Sequence, residues 1–72
     1  MEKKIKILDV VSLIEDLPER GLVRGQVGTV VESLAPDVFE VEFSDDEGKT
    51  YAILALPGEQ LMILHHRRIV AA

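Results

Sequence analysis

The chain has no cysteine and no tryptophan, and aromatic residues make up only 4% of its 72 residues. Without cysteine there is no disulfide, and no thiolate is available as a nucleophile or as a metal ligand. The shortage of aromatic residues argues against a surface on which bases or sugars stack, and against the aromatic groove that binds proline-rich peptides. The lack of cysteine also fits a cytoplasmic protein, which is the location we expect.

Long apolar runs are missing as well. The longest, residues 51–57, is far shorter than the roughly 20 residues that a helix needs to cross a bilayer. The lysine-rich start of the chain is not followed by an apolar core of signal-peptide length. We therefore expect one soluble domain over residues 1–72, with frayed ends at 1–6 and 66–72 and no membrane contact.

The charge balance is acidic. The chain has thirteen aspartates and glutamates and eight lysines and arginines, which gives a formal net charge of −5. This charge repels a polyanion, so nucleic acid is not the partner that we expect. Basic residues do cluster in the N-terminal lysines, at Arg20 and Arg24, and at Arg67 and Arg68. They would form a local patch if they met on one face, but solvated end and loop charges are the interpretation that we favour.

Alternating apolar residues predict five short strands. The clearest pattern places Phe39, Val41 and Phe43 towards the core, with Glu40 and Glu42 towards water. The five predicted strands are residues 8–14, 26–34, 38–44, 50–56 and 61–64.

Glycines and prolines mark the connections between these strands. Gly25 and Gly28 stand where the second strand starts, and such a pair allows a positive φ and a close approach to a neighbouring strand. Residues 45–49 indicate a hairpin with Gly48 at positive φ. Residues 57–60 indicate a tight turn or a single 3₁₀ turn.

The first connection, residues 15–25, is long for so small a domain. Pro18 excludes both a helix and a central strand there. Leu17, Leu22 and Val23 are the candidate apolar anchors that would hold this loop on the core. The whole pattern predicts an all-β, five-stranded SH3-like barrel with a long first loop and a short 3₁₀ turn before the last strand. An OB-like barrel is the alternative, but it needs longer strands and usually a helix.

The fourth and fifth strands are apolar on both faces. Ile53 and Leu54 point to opposite sides of one strand, and Leu61 and Met62 to opposite sides of the other. Since a small barrel has one interior, the outward half must be covered by the first loop, the N-terminal segment or another chain. We expect contact with a protein partner or a second copy through this surface and the first loop. The candidate residues are Leu17, Glu19, Arg20, Leu22, Leu54, Leu56, Met62 and Leu64.

Two polar clusters have simpler explanations than metal binding. Asp45, Asp46 and Glu47 stand at a predicted hairpin tip and lack the spacing of a calcium loop. His65 and His66 are adjacent, so an extended chain points them to opposite sides and they chelate poorly.

Catalytic arrangements are equally hard to build. The loop acids Glu15, Asp16 and Glu19 would need a pocket that shifts one pKa, and a chain this short has little volume for one. A solvated loop with local ion pairs, or a charged contact loop, explains them better. The serines and threonines have no nucleophile elbow. We therefore expect no enzyme activity, no cofactor, no metal and no small-molecule substrate.

Several segments resemble a group of small bacterial proteins that carry only a domain-of-unknown-function label. The segments are LDVV at 8–11, EDLPE at 15–19, GL at 21–22, GQVGTVVE at 25–32, FEVEF at 39–43 and LP at 56–57. The resemblance spans residues 7–64 and implies an SH3-like barrel without any assigned activity. Residues 25–31 are also similar to the glycine–valine core of KOW motifs, some of which bind RNA or ribosomal proteins. A KOW-like nucleic-acid or ribosome-associated module is therefore the alternative function.

Overall fold

The computed structural model describes residues 4–64. Within them it contains five strands and two single 3₁₀ turns, and no α-helix. The elements are β1 Val10–Leu13, η1 Pro18–Arg20, β2 Val27–Ala35, β3 Val38–Ser44, β4 Thr50–Pro57, η2 Gly58–Gln60 and β5 Leu61–Ile63. The predicted strands and the turn before the last strand are confirmed, whereas η1 in the first loop was not predicted.

The five strands form one antiparallel sheet in the order β4-β3-β2-β1-β5. The two outermost strands, β4 and β5, are joined only by η2. In a flat sheet they would lie four strand spacings apart, about 19 Å. The chain from Pro57 to Leu61 spans at most about 14 Å, so the sheet must curl. This confirms the predicted SH3-like barrel.

The core confirms that the sheet closes around one interior. Leu56 from β4 and Leu61 from β5 belong to the same buried cluster, although their strands stand at opposite ends of the sheet order. Phe39, Val41 and Phe43 are buried as predicted. The buried apolar residues are Val11, Leu13, Leu17, Leu22, Val30, Phe39, Val41, Phe43, Leu56 and Leu61.

The two glycines before and within β2 meet two different requirements. Gly25 has φ +95° and open space around it, so its backbone conformation excludes most other residues. Gly28 has too little space for a side chain. A Cβ there would lie 2.7 Å from Val41 Cγ1, 2.9 Å from the Glu42 carbonyl oxygen and 2.9 Å from Phe43 Cδ1. Both predicted roles of the glycine pair are therefore confirmed.

The segment before β1 lies against the barrel. Ile5 is half-buried and packs on the core, and the Leu8 N–H donates to the Val30 carbonyl oxygen at 2.7 Å. Residues 4–6 thus differ from the frayed start that the sequence suggested. Residues 1–3 and the expected C-terminal frayed end, 66–72, lie outside the described residues.

A tight turn connects this segment to β1. The Asp9 N–H donates to the Lys6 carbonyl oxygen at 3.0 Å, and the Lys6 N–H donates to Asp9 Oδ2 at 2.8 Å. Leu8 occupies the third position of the turn with φ +80°. A positive φ at this position belongs to the type II turn and strongly favours glycine. Leu8 therefore stores backbone strain.

Replacing Leu8 with glycine should raise the free energy of unfolding by about 0.5–1 kcal/mol, because relief of strain exceeds the added chain entropy of glycine. Little burial is lost, since Leu8 is 75% exposed. Urea denaturation followed by circular dichroism measures the change. Leu8→Ala is the control, because its Cβ keeps the strain and brings no gain. A glycine variant less stable than the alanine variant would contradict the strain.

Candidate protein-interaction surface

The two faces of β4 are reversed relative to the predicted surface. Leu56 is 3% exposed, and Leu54 is half-buried and packs against the core. Tyr51 and Ile53 instead point outward, at 48% and 52% exposure. The prediction that Leu54 and Leu56 form the outward surface is therefore wrong.

A β-bulge at Tyr51 causes this reversal. Thr50 pairs with Ser44, but Ala52 pairs with Phe43, so that Tyr51 between them is an extra residue without a partner. One extra residue moves all the side chains that follow to the other face of the strand. A regular hairpin would have placed Tyr51 opposite Phe43 and turned Leu54 and Leu56 outward, as the sequence suggested.

The first loop folds onto the core through two leucines. Leu17 and Leu22 exchange backbone hydrogen bonds of 2.9 and 3.1 Å and are 6% and 2% exposed. The predicted anchoring is confirmed for both, but neither is accessible to a partner, and their place in the predicted surface is wrong. Glu19 and Arg20 are exposed on η1. Val23 is 57% exposed, so its side chain does not anchor the first loop on the core as predicted.

The acids of the first loop have structural hydrogen bonds. Asp16 Oδ1 accepts the Arg24 backbone N–H at 2.8 Å. Glu15 Oε2 accepts a hydrogen bond from the Gln60 side-chain amide at 2.7 Å, which links the loop to η2. These contacts fix the path of the loop.

The hairpin acids also have a structural role. Asp45 Oδ1 accepts the backbone N–H groups of Glu47 and Lys49, both at 2.9 Å. Gly48 has φ +83° as predicted. Among residues 4–64, no group of three or more histidine, cysteine, aspartate or glutamate side chains is placed to hold a metal ion. His65 and His66 lie outside the described residues.

One shallow cavity of about 560 Å³ opens beside η2. Phe39 and Leu61 supply apolar lining, and two other lining residues are joined by the hydrogen bond from the Gly58 N–H to the Asp37 carbonyl oxygen at 2.9 Å. Its lining residues are Lys4, Ile5, Lys6, Ser33, Pro36, Asp37, Phe39, Gly58, Glu59 and Leu61. The polar part of this lining carries charges of both signs, from Lys4, Lys6, Asp37 and Glu59.

The outer face of β5, β1 and β2 carries a row of neighbouring side chains. Ser12 pairs with Met62 on one side and with Val27 on the other. Met62 and Val27 are 44% and 46% exposed, whereas Ser12 between them is only 6% exposed. The two larger side chains therefore shield the small serine. The predicted outward position of Met62 agrees with this arrangement.

Apolar residues continue along both sides of this row. The Leu64 N–H donates to the Val10 carbonyl oxygen at 2.8 Å, which places the two side by side, and both are half-buried. At the other end Ile14 is 44% exposed. We call the set Val10, Ile14, Val27, Met62 and Leu64 the outer apolar patch. It contains no charged side chain, in a chain that is 29% charged.

The family model described as Domain of unknown function (DUF4926) matches residues 7–63 of the chain. The chain belongs to the DUF4926 family. The DUF4926 match covers all five strands, and every residue of the outer apolar patch except Leu64 falls within it. No curated protein and no solved structure matches the chain. In the part of the chain that the structure describes, no helix is long and apolar enough to cross a membrane.

Proposed function

We propose that this DUF4926 protein is a non-enzymatic protein-interaction module that binds a protein partner through the outer apolar patch. The observation that carries the proposal is the exposure of Ile14, Val27 and Met62, between 44% and 46% each, around a single shielded serine. Contiguous apolar surface of this kind commonly marks an association site. We also propose a cytoplasmic location, which the absence of cysteine favours.

The strength of such contact follows from the apolar area. Full burial of a valine, isoleucine or methionine side chain stabilises by roughly 1.5–3 kcal/mol. Covering the exposed half of each of these three side chains would therefore contribute about 1 kcal/mol per residue. A central apolar cluster with contributions of this size is typical of the core of a protein interface.

The charges near the patch indicate the chemistry of its partner. Thr29 lies beside Val10 on the outer face, and its other neighbour is Glu42 on β3. With a net charge of −5 on the whole chain, the favoured partner has an apolar centre and a basic rim.

The KOW-like alternative receives less support from the charges. Arg20 and Arg24 share the first loop with the acids Glu15, Asp16 and Glu19, so this loop offers no uniform positive patch to a phosphate backbone. RNA binding is an outcome that the following experiment detects.

Replacing Met62 with lysine should weaken partner binding at least tenfold, because an ammonium group would have to lose its water in the centre of the interface. The immobilised chain captures partners from native cell extract, and each captured species is quantified for wild type and variant. Leu34→Lys is the matched control, since Leu34 is 50% exposed but lies outside the patch.

The proposal requires one protein species that is lost with Met62→Lys and kept with Leu34→Lys, both variants being folded by circular dichroism. Equal capture by both variants, or equal loss, would refute it. Captured RNA that dissociates steeply as salt rises and ignores Met62→Lys would instead support the KOW-like alternative.

A further inference from the structure

Leu8 occupies a position in the fold that normally belongs to glycine. The Leu8 N–H donates to the Val30 carbonyl oxygen at 2.7 Å, and the Val30 N–H donates to the Asp9 carbonyl oxygen at 2.9 Å. Leu8 and Asp9 therefore stand together opposite Val30, which makes a β-bulge directly before β1. When the first residue of a bulge has a left-handed backbone, as Leu8 has with φ +80°, that residue is typically glycine.

The Leu8 side chain contributes little to the fold that strains its backbone. It is 75% exposed, and the side chain of its neighbour Ile7 is 54% exposed. Strained backbone conformations cluster at binding and catalytic sites, where the strained residue has a role beyond folding. Since Leu8 buries little apolar surface within the chain, its side chain offsets little of the strain by packing.

Hydrogen bonds hold the turn that carries Leu8 in one shape. The Asp9 N–H donates to the Lys6 carbonyl oxygen at 3.0 Å, and the Lys6 N–H donates to Asp9 Oδ2 at 2.8 Å. The bulge adds the two bonds to Val30. A side chain presented by an ordered turn loses less conformational freedom on binding than one on a flexible loop, so more of its burial contributes to affinity.

We propose that Leu8 is an anchor of the interface at the outer apolar patch and that the partner protein has an apolar recess for its side chain. This inference rests on the proposed function. Leu8 precedes Val10 of the patch by two residues, so their Cα atoms lie at most about 7 Å apart. An interface of ordinary size buries roughly 800 Å² on each side, an area about 30 Å across. A partner seated on the patch therefore reaches Leu8 as well.

Charge favours a protein over a lipid surface as the occupant. Lys4 and Lys6 are exposed beside the turn and would suit anionic lipids. Asp9 lies within the same turn, however, and the chain has a net charge of −5, which repels an anionic surface. An apolar recess in a protein requires no such attraction, because burial of the leucine itself supplies the affinity.

Two measurements on the same variants test the proposal. The first is the free energy of unfolding in urea, and the second is the affinity for the protein that wild type captures from native extract and Met62→Lys loses. Leu8→Gly should be more stable than wild type and yet bind about tenfold more weakly, because it relieves the strain and removes the anchor. Leu8→Ala should lose as much affinity without the gain in stability.

Two further variants serve as controls. Leu8→Met keeps a large apolar side chain and should restore most of the binding. Val23→Ala is the matched control for a general loss of exposed apolar surface, since Val23 is 57% exposed but lies on the first loop outside the patch. It should leave the affinity unchanged.

The outcomes separate this inference from the proposed function. If Leu8→Gly and Leu8→Ala bind as tightly as wild type while Met62→Lys loses the partner, the anchor is overturned and the proposed function stands. If no captured protein depends on Met62, both are refuted. Sedimentation of wild type with phosphatidylserine vesicles that Leu8→Ala abolishes would also overturn the proposal, because it would assign the turn to a lipid surface.

Discussion

A chain in which Phe43 is replaced by alanine should lose about 3–5 kcal/mol of folding free energy, the usual cost of removing a fully buried phenylalanine side chain. Phe43 is 0% exposed and is the largest of the fully buried side chains. It pairs with Gly28 on one side and Ala52 on the other, and these small residues cannot fill the space that it leaves. A domain of this size has roughly 4–10 kcal/mol of stability in total, so much of the population should unfold.

Urea denaturation measures this loss. Tyr51 is the only tyrosine, and the chain has no tryptophan, so its fluorescence reports on the neighbourhood of Phe43, whose ring centroid lies 6.5 Å away. Phe43→Leu is the control and should cost less, about 1–2 kcal/mol, because it removes less volume. A loss below 1 kcal/mol for the alanine variant would show that Phe43 is not in the core.

Replacing Gly28 with alanine should destabilise the fold by about 2–3 kcal/mol, at the upper end of the usual cost of overpacking. The added methyl group would meet three atoms within 3.0 Å, and one of them is the backbone carbonyl oxygen of Glu42. A backbone atom moves only if the strand moves, so β2 and β3 would have to separate. Thermal melting followed by circular dichroism gives the loss.

Gly25→Ala separates crowding from backbone strain. A methyl group added at Gly25 would meet nothing within 4 Å, but the φ of this residue is +95°. Its replacement should therefore cost only about 1–2 kcal/mol from the strained conformation. If Gly25→Ala proved more damaging than Gly28→Ala, the close approach of β2 to β3 would be contradicted.

The fold could be predicted from the sequence because several local signals agree. The alternation from Phe39 to Phe43 identified a strand and its buried face, and Gly48 identified the hairpin that follows. Leu17 and Leu22 marked the anchors of the first loop. Period-two patterns and glycine positions are local properties, and a small antiparallel barrel is built mostly from local connections.

The interaction surface was harder to predict from the sequence because it depends on the register of the strands. The bulge at Tyr51 exchanges the faces of β4, and both faces of that strand are apolar, so hydrophobicity alone could not reveal the exchange. One signal was present: the Tyr51 hydroxyl needs a polar partner, and it accepts a hydrogen bond from the Gln26 side chain at 2.8 Å at the surface. An inward Tyr51 would have buried that hydroxyl.

The outer apolar patch was missed for a related reason. Met62 and Leu64 were expected outside, but Val10, Ile14 and Val27 come from two other strands whose outward positions looked ordinary in sequence. Only the pairing of Met62 and Val27 across Ser12 brings them together. Cross-strand neighbours are a property of the folded sheet and not of any one segment.

Site-specific photo-crosslinking in living cells tests most directly whether the outer apolar patch is the contact surface. In one variant a photoreactive amino acid replaces Met62. In the control variant it replaces Glu47, at the exposed tip of the β3–β4 hairpin. If the outer apolar patch is the contact surface, position 62 should give a discrete crosslink to another protein and position 47 should give none. Crosslinks from position 47 alone, or equal yields from both positions, would contradict it.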